Sequence, residues 1–221
     1  MRIAFFGGTF DPPHRGHLAI AKAAMDRLAL DQVMVAPVGT QPLKRESNST
    51  NFADRLNMVR LAFAGEPGFT ISLADAPRPD GAPNYTIDVL REIKAALAPG
   101  DELFCLLGAD SFLTMRRWHR AADLLFVCDF IVAGRPGFSL DDVAAALPDG
   151  VRRSCNEAES RRLATCRLSN GGRRSHIHLM PDLEMDISAT EIRAAVQGEG
   201  STEDLLAPAV VRFIRKKNLY R

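Results

Sequence analysis

The chain has 221 residues, with 28 Lys and Arg against 27 Asp and Glu, a net charge of +1. That balance excludes a global basic field for nucleic acid, and the length suits one domain, residues 1–221, with a sizeable core. The longest apolar runs are strand-sized, which argues against a membrane span, and Met1-Arg2-Ile3-Ala4 runs straight into the first predicted strand, leaving no room for a signal peptide.

Ile3-Ala4-Phe5-Phe6 reads as a buried strand, and Leu18, Ala21, Met25 and Leu28 fall at the 3–4 spacing of one helix face. Between them lies Gly7-Gly8-Thr9-Phe10-Asp11-Pro12-Pro13-His14-Arg15-Gly16-His17, a strand-to-helix turn. It is neither Gly-x-Gly-x-x-Gly nor the phosphate loop ending in Gly-Lys-Ser/Thr. Paired glycines let backbone approach a ligand closely. His14 and His17 fall at the mouth of the helix, where free N–H groups and the helix dipole favour an anion. Together they suit a polyphosphate; the plainer alternative is a turn with two incidental histidines.

Gln32 to Pro37 is the second predicted strand, followed by a polar loop through Gln41-Pro42-Leu43-Lys44-Arg45 to Asn51. Lys44 and Arg45 are either a solvated pair or a phosphate or acid contact. Phe52 to Ala64 is predicted helical, Phe69 to Leu73 a third strand, and Asn84-Tyr85-Thr86 opens a helix with Thr86 as its N-cap. That helix start is a second candidate anion site. Glu102 to Leu107 has the continuous apolar run of a central parallel strand and ends in Gly108-Ala109-Asp110-Ser111, where α/β sheets bind ligands. Asp110 suits ribose hydroxyls or a helix cap. Trp118, flanked by Arg116, Arg117, His119 and Arg120, is either a core residue or a stacking platform for a flat ring.

Phe130 to Ala133 is the fifth strand and places Arg135 at its end, where a guanidinium can stack on adenine. Leu140 to Leu147 reads as a short helix. Residues 152–175 are polar, charged and punctuated by glycine, and read as a surface insertion of low order. His176 to Met180 is the sixth strand. In Asp186-Ile187-Ser188-Ala189-Thr190-Glu191-Ile192-Arg193, Ser188 and Glu191 spell a capping box, while Thr190 and Arg193 lie one helical turn apart and offer a second phosphate site. Pro208 to Lys217 is a closing helix with proline in its first turn. Cys105 and Cys128 lie in apolar runs as reduced core residues, pointing to a reduced, cytoplasmic protein. A zinc site from Cys155, Cys166, His176 and His178 fits by residue type, but the spacings are loose.

The first motif matches the Gly-x-Phe-x-Pro-x-His-x-Gly-His pattern of the nucleotidyltransferase superfamily. With Ile187 to Arg193 it resembles the adenylyltransferase branch, and most closely the bacterial nicotinate-nucleotide adenylyltransferase family. The resemblance runs nearly the full length, through Asn84-Tyr85-Thr86, Gly108 to Ser111, Trp118-His119, Gly134-Arg135-Pro136-Gly137 and Leu219-Tyr220-Arg221. One departure stands out: the family usually has Pro-Pro-His-Lys/Arg where this chain has Gln41-Pro42-Leu43-Lys44.

The resemblance implies a Rossmann-like, doubly wound parallel α/β sheet of about six strands with flanking helices. It implies transfer of AMP from ATP to nicotinate mononucleotide, with His14 and His17 catalytic. Gly7, Gly8, Thr9, Phe10, His14, His17, Gly108, Asp110, Arg135, Ser188, Thr190 and Arg193 would bind ATP; Lys44, Tyr85, Thr86, Trp118 and His119 would bind the acceptor. Magnesium would come with ATP, held by no protein side chain. Partners would be these small molecules only, with neither nucleic acid nor membrane, and the chain a monomer or weak homo-oligomer. The rival readings are a phosphopantetheine adenylyltransferase, a cytidylyltransferase and a non-catalytic nucleotide-sensing module.

Overall fold

Strand β1 (Arg2–Gly8) sits near the middle of the sheet because its residues alternate between two cores, Phe5 on one face, Ala4 and Phe6 on the other. The computed structural model describes residues 1–39, 50–134, 137–155, 162–181, 183, 187–198 and 200–221. After β1 come α1 (Arg15–Leu28), β2 (Gln32–Pro37), α2 (Phe52–Ala62), β3 (Phe69–Ile71), α3 (Thr86–Ala96) and β4 (Glu102–Gly108). Next are α4 (Ala109–Leu113), α5 (Ala121–Leu124), β5 (Asp129–Ala133), α6 (Leu140–Ala146), β6 (Arg152–Cys155), β7 (Ala164–Asn170) and β8 (Arg173–Met180). Helices α7 (Ala189–Gln197) and α8 (Pro208–Lys217) close the chain.

The sheet has eight strands in the order β3-β2-β1-β4-β5-β8-β7-β6, not six. The expected strands are the parallel ones, β3, β2, β1, β4, β5 and β8. The other two come from 152–175, where the sequence suggested a low-order insertion. Instead β6 and β7 add antiparallel to β8, so the sheet is mixed. In β7, Ala164, Cys166 and Leu168 are buried while the residues between them are not, the alternation of a half-buried strand.

Leu103, Cys105 and Leu107 of β4 pack with α3, α4 and α5 on one face, and Phe104 and Leu106 with α1 and α2 on the other. A third cluster joins Met58 of α2 to Ile192 of α7 and Val210, Val211 and Ile214 of α8. The chain runs outward from β1 to β3 and then returns as β4 on the other side of β1, so the strand order reverses between β1 and β4. Ligand crevices open at the carboxyl ends of strands beside such a reversal.

Arg55 on α2 fastens that end of the sheet. It is 3% exposed. Its Nε donates to Thr50 O (2.9 Å), Nη1 to Thr9 O (2.8 Å) and Nη2 to Val38 O (2.7 Å). Burial lowers its pKa, while Asp11, Tyr220 and Asp75 pull the other way. Arg55→Met would remove the donor to four loop carbonyls, Gly39 O (3.4 Å) being the fourth, and the cation beside Asp11. We expect a loss of about 3–5 kcal/mol in urea unfolding; a loss below about 1 kcal/mol would show that the loops hold without it.

Candidate active site

The turn after β1 is shaped by its own aromatic residues. A Cβ on Gly8 would fall 3.1 Å from the Phe10 ring. Phe10 adopts a left-handed backbone (φ 50) and is 2% exposed, its ring edge-on to Phe6 at 5.4 Å and to His17 at 4.9 Å. The left-handed conformation costs about 1–2 kcal/mol, and full burial of the ring recovers about 1.5–3 kcal/mol. Phe10 thus anchors the loop, leaving only its backbone to face a ligand.

His14 caps α1, and its backbone N–H donates to His17 Nδ1 at 3.1 Å. With Nδ1 accepting, the neutral His17 ring carries its proton on Nε2, a single donor. Burial, and secondarily His14, lower its pKa well below the ordinary value. The two rings stack at 3.7 Å. At neutral pH His17 therefore presents a hydrogen-bond donor rather than an imidazolium.

The C-terminal motif meets this turn. Arg193 donates from Nη1 to the Asp11 carbonyl (2.8 Å) and from Nη2 to Thr190 Oγ1 (3.1 Å). Ser188 is the N-cap of α7, as expected, but its Oγ accepts from Thr190 N (3.3 Å) rather than from the Glu191 N–H that a capping box requires. Asp11, which the sequence reading left without a role, is the hub: its carboxylate accepts from Thr50 N (3.0 Å) and from the Tyr220 hydroxyl (2.5 Å). Burial and that hydrogen bond push the Tyr220 pKa up.

Beside the turn is a cavity of about 480 Å³, lined by Gly7, Gly8 and Thr9 at one end and by Tyr85, Thr86, Trp118 and His119 at the other. Tyr85, not Thr86, is the N-cap of α3, and Thr86 is its first helical residue. The Tyr85 and His119 rings stack at 4.1 Å. The core reading of Trp118 holds, since its ring packs against the core and Nε1 donates to Thr114 Oγ1 (2.8 Å); the residue also lines the cavity. Asp110 lines it from the first turn of α4, which Gly108 caps. Asp75 and Asn84 line it too, although the sequence reading gave Asp75 no role. His14, His17, Ser188, Thr190 and Arg193 are not among the residues that line it. Lys44 and Arg135 lie outside the described residues.

The zinc reading fails. Cys155 and Cys166 face each other across β6 and β7 and form a disulfide, which also corrects the expectation of a wholly reduced chain. His176 Nδ1 lies 3.2 Å and His178 Nε2 3.8 Å from Asp129 Oδ2. Cys105 and Cys128 are free and buried, and burial holds the Cys128 thiol up at about 12. Among the described residues no group of three His, Cys, Asp or Glu is placed to hold a metal, and no helix is long and apolar enough to cross a membrane.

Residues 5–195 match the cytidylyltransferase-like family. The probable nicotinate-nucleotide adenylyltransferase of Citrifermentans bemidjiense is 38% identical over 222 residues, covering 100% of this chain and 98% of that one. The probable nicotinate-nucleotide adenylyltransferase of Laribacter hongkongensis is 40% identical over 220 residues, covering 99% and 94%. In fold, the chain is similar to the Plasmodium falciparum nicotinic acid mononucleotide adenylyltransferase complexed with NaAD, with a TM-score of 0.70 at 19% identity over 99% of this chain and 97% of that one. With full-length identity at this level added to a turn and a C-terminal motif that meet at one site, the chain belongs to the nicotinate-nucleotide adenylyltransferase family, within the cytidylyltransferase-like proteins.

Proposed function

We propose that the chain transfers AMP from ATP to nicotinate mononucleotide, giving nicotinate adenine dinucleotide and pyrophosphate in NAD biosynthesis. The observation that carries this reading is the Arg193–Asp11 contact, which joins two anion-binding helix starts beside a nucleotide-sized cavity. In the reaction an oxygen of the acceptor's 5′-phosphate attacks the α-phosphorus of ATP, and the bond from that phosphorus to the bridging oxygen breaks. A phosphate monoester has a second pKa of about 6, so the nucleophile is already ionised and needs no general base. The barrier is repulsion between anions and their misalignment, and the protein's work is positioning and charge stabilisation.

In this reading His14 and His17 hold the phosphates, with the Nε2–H of His17 directed at charge developing on the α-phosphate. The backbone of Gly7, Gly8, Thr9 and Phe10 lies alongside. Ser188, Thr190 and Arg193 receive the departing β- and γ-phosphates, Gly108 and Asp110 take the ribose of ATP, and Arg135 takes its adenine. Tyr85, Thr86, Trp118 and His119 receive the pyridine ring, and Lys44 the acid end of the acceptor. Magnesium enters with ATP. Phosphate oxygens and water suit so hard a cation as ligands, and when bound it would neutralise phosphate charge. A monomer or weak homo-oligomer in the cytoplasm, with these small molecules as its partners, fits this chemistry. A phosphopantetheine adenylyltransferase or a sensing module without turnover are outcomes that an assay of ATP against several phosphorylated acceptors distinguishes.

His17→Ala is expected to lower kcat roughly a hundred- to thousandfold, ~3–4 kcal/mol, with ATP binding little changed. Because the folded ring takes up a proton only below its ordinary pKa of about 6.5, the kcat/KM profile should owe no limb to His17 between pH 6.5 and 8. A near-normal kcat in the variant would remove His17 from the mechanism.

Arg193→Ala should weaken ATP binding by roughly ten- to a hundredfold, the range for a hydrogen bond to a charged group. Separate titrations should find nicotinate mononucleotide affinity nearly intact. The reverse pattern would mean that the C-terminal motif faces the acceptor.

Nicotinate and nicotinamide mononucleotides differ only in carboxylate against amide. The first turn of α3 has no side-chain cap at Tyr85, so its N–H groups offer donors beside the cavity. A carboxylate accepts from them; an amide must turn its NH₂ toward a donor, a mismatch of ~1–3 kcal/mol when buried. We expect kcat/KM to favour the acid by at least roughly tenfold. Equal rates would overturn the pocket assignment while leaving adenylyl transfer standing.

A further inference from the structure

Three carboxylates are buried in the described residues, and two of them are fully engaged. Asp11 accepts from Thr50 N and the Tyr220 hydroxyl, one on each oxygen. Asp54 accepts from the Asn51 amide through Oδ2 (2.8 Å) and lies 3.3 Å from Lys217 Nζ through Oδ1. Asp75 is different: it is 7% exposed, it lines the cavity, and its Oδ1 has no hydrogen-bond partner among the described residues. The fold takes its backbone instead, for Gly39 N donates to the Asp75 carbonyl at 2.6 Å. Burial pushes its carboxyl pKa up to about 7, against the pull of the Asn84 side chain and the Arg55 guanidinium. A buried carboxylate oxygen left without a partner is a cost that stability alone does not explain.

Its place along the wall narrows what it meets. Val38 N bonds Gly8 O (2.9 Å), and the next residue, Gly39, bonds Asp75, so this wall continues from the phosphate end of the cavity. A Cβ on Gly39 would fall 2.4 Å from Pro77 N, so the two loops are in direct contact. On its other side Asp75 adjoins Asn84, whose Nδ2 donates to Ala76 O (2.7 Å) and which precedes Tyr85 at the ring end. A mononucleotide lying with its phosphate at Gly8 and its ring at Tyr85 has its ribose between them, along Asp75.

We propose that Asp75 is a specificity-determining residue for the acceptor, its carboxylate receiving a ribose hydroxyl of the mononucleotide. The inference rests on the adenylyl-transfer reading given above. Chemistry supports the match. Ionised, the carboxyl group only accepts hydrogen bonds, and when protonated it still accepts through its carbonyl oxygen. Bound nicotinate mononucleotide is anionic at both ends, its pyridinium nitrogen carries no hydrogen, and the ribose hydroxyls are its only donors. Asp110, at the end of β4, is a second carboxylate on the cavity wall, so each of two nucleotides has an acid for its ribose.

The test compares nicotinate mononucleotide with its 2′-deoxy and 3′-deoxy analogues at saturating ATP, in the full-length wild type, Asp75→Ala and Asp75→Asn. Wild type should prefer the ribonucleotide over at least one analogue by roughly ten- to a hundredfold in kcat/KM, the range for a hydrogen bond to a charged group. In Asp75→Ala that ratio should fall to within about threefold of unity, with the KM for ATP unchanged. Asp75→Asn keeps the shape and offers a neutral acceptor, so its ratio should fall only part of the way; it decides the matter alone where the alanine variant does not fold. Absence of discrimination in wild type, or a full wild-type ratio in the variants, overturns the role of Asp75. Absence of any turnover of nicotinate mononucleotide by wild type would instead overturn the adenylyl-transfer reading.

Discussion

A guanidinium below the surface holds the ligand-facing loops in place. Arg55 reaches Thr9 after β1, Val38 after β2 and Thr50 at the start of α2 with one rigid fork. Lysine would not serve, because three rotating donors on one atom cannot span acceptors that lie in different directions. The cation is sustainable there because Asp11, Tyr220 and Asp75 stand close enough to oppose the effect of its burial. Asp11 in turn fixes the C-terminus through the Tyr220 hydroxyl and α7 through its own carbonyl and Arg193. Segments from both ends of the chain thus meet at one turn, and that turn is where the resemblance puts the phosphates.

The parts of this arrangement visible in the sequence are those with a local pattern. The first turn, the apolar run of β4 and the 3–4 spacing of α1 declare themselves within a dozen residues, and the structure finds all of them. What escaped notice depends on distant partners. Arg55 lies in the predicted helix Phe52 to Ala64, where no local pattern marks it, and only the loops that bond to it show why it is buried. Asp75 immediately precedes the Pro/Gly-rich segment Ala76 to Pro83, where an acid is unremarkable until a cavity is seen beside it. The hairpin of β6 and β7 was missed for another reason: one side of it faces solvent, so Arg152, Ser154, Arg167 and Ser169 overlay its apolar alternation with charge and polarity.

The site also settles how a chain of net charge +1 can handle two anionic nucleotides. A broad basic field would attract them without holding them in register. Here the positive features are short-range and fixed. The starts of α1 and α7 lie against each other, a Cβ on Gly16 falling 3.6 Å from the Ile187 Cβ. Both helix starts carry the positive end of a helix dipole. Arg193 is already bonded to the Asp11 carbonyl and Thr190, so little side-chain freedom is left to lose when a phosphate arrives.

The neutral state of His17 follows from the same economy. Stacked on His14 and edge-on to Phe10, its ring could take up a proton only at the expense of desolvation, with the neighbouring His14 adding to that cost. It is therefore a fixed dipole, with Nδ1 occupied by the His14 N–H and the proton directed outward on Nε2. A donor of that kind does not need to reorganise as charge shifts from the attacking oxygen toward the leaving pyrophosphate. An imidazolium would bind ground-state ATP tightly as well, and stabilising reactant and transition state alike does nothing for the rate. On the adenylyl-transfer reading proposed above, desolvation of His17 keeps its ring neutral and so favours the developing charge over the charge already present.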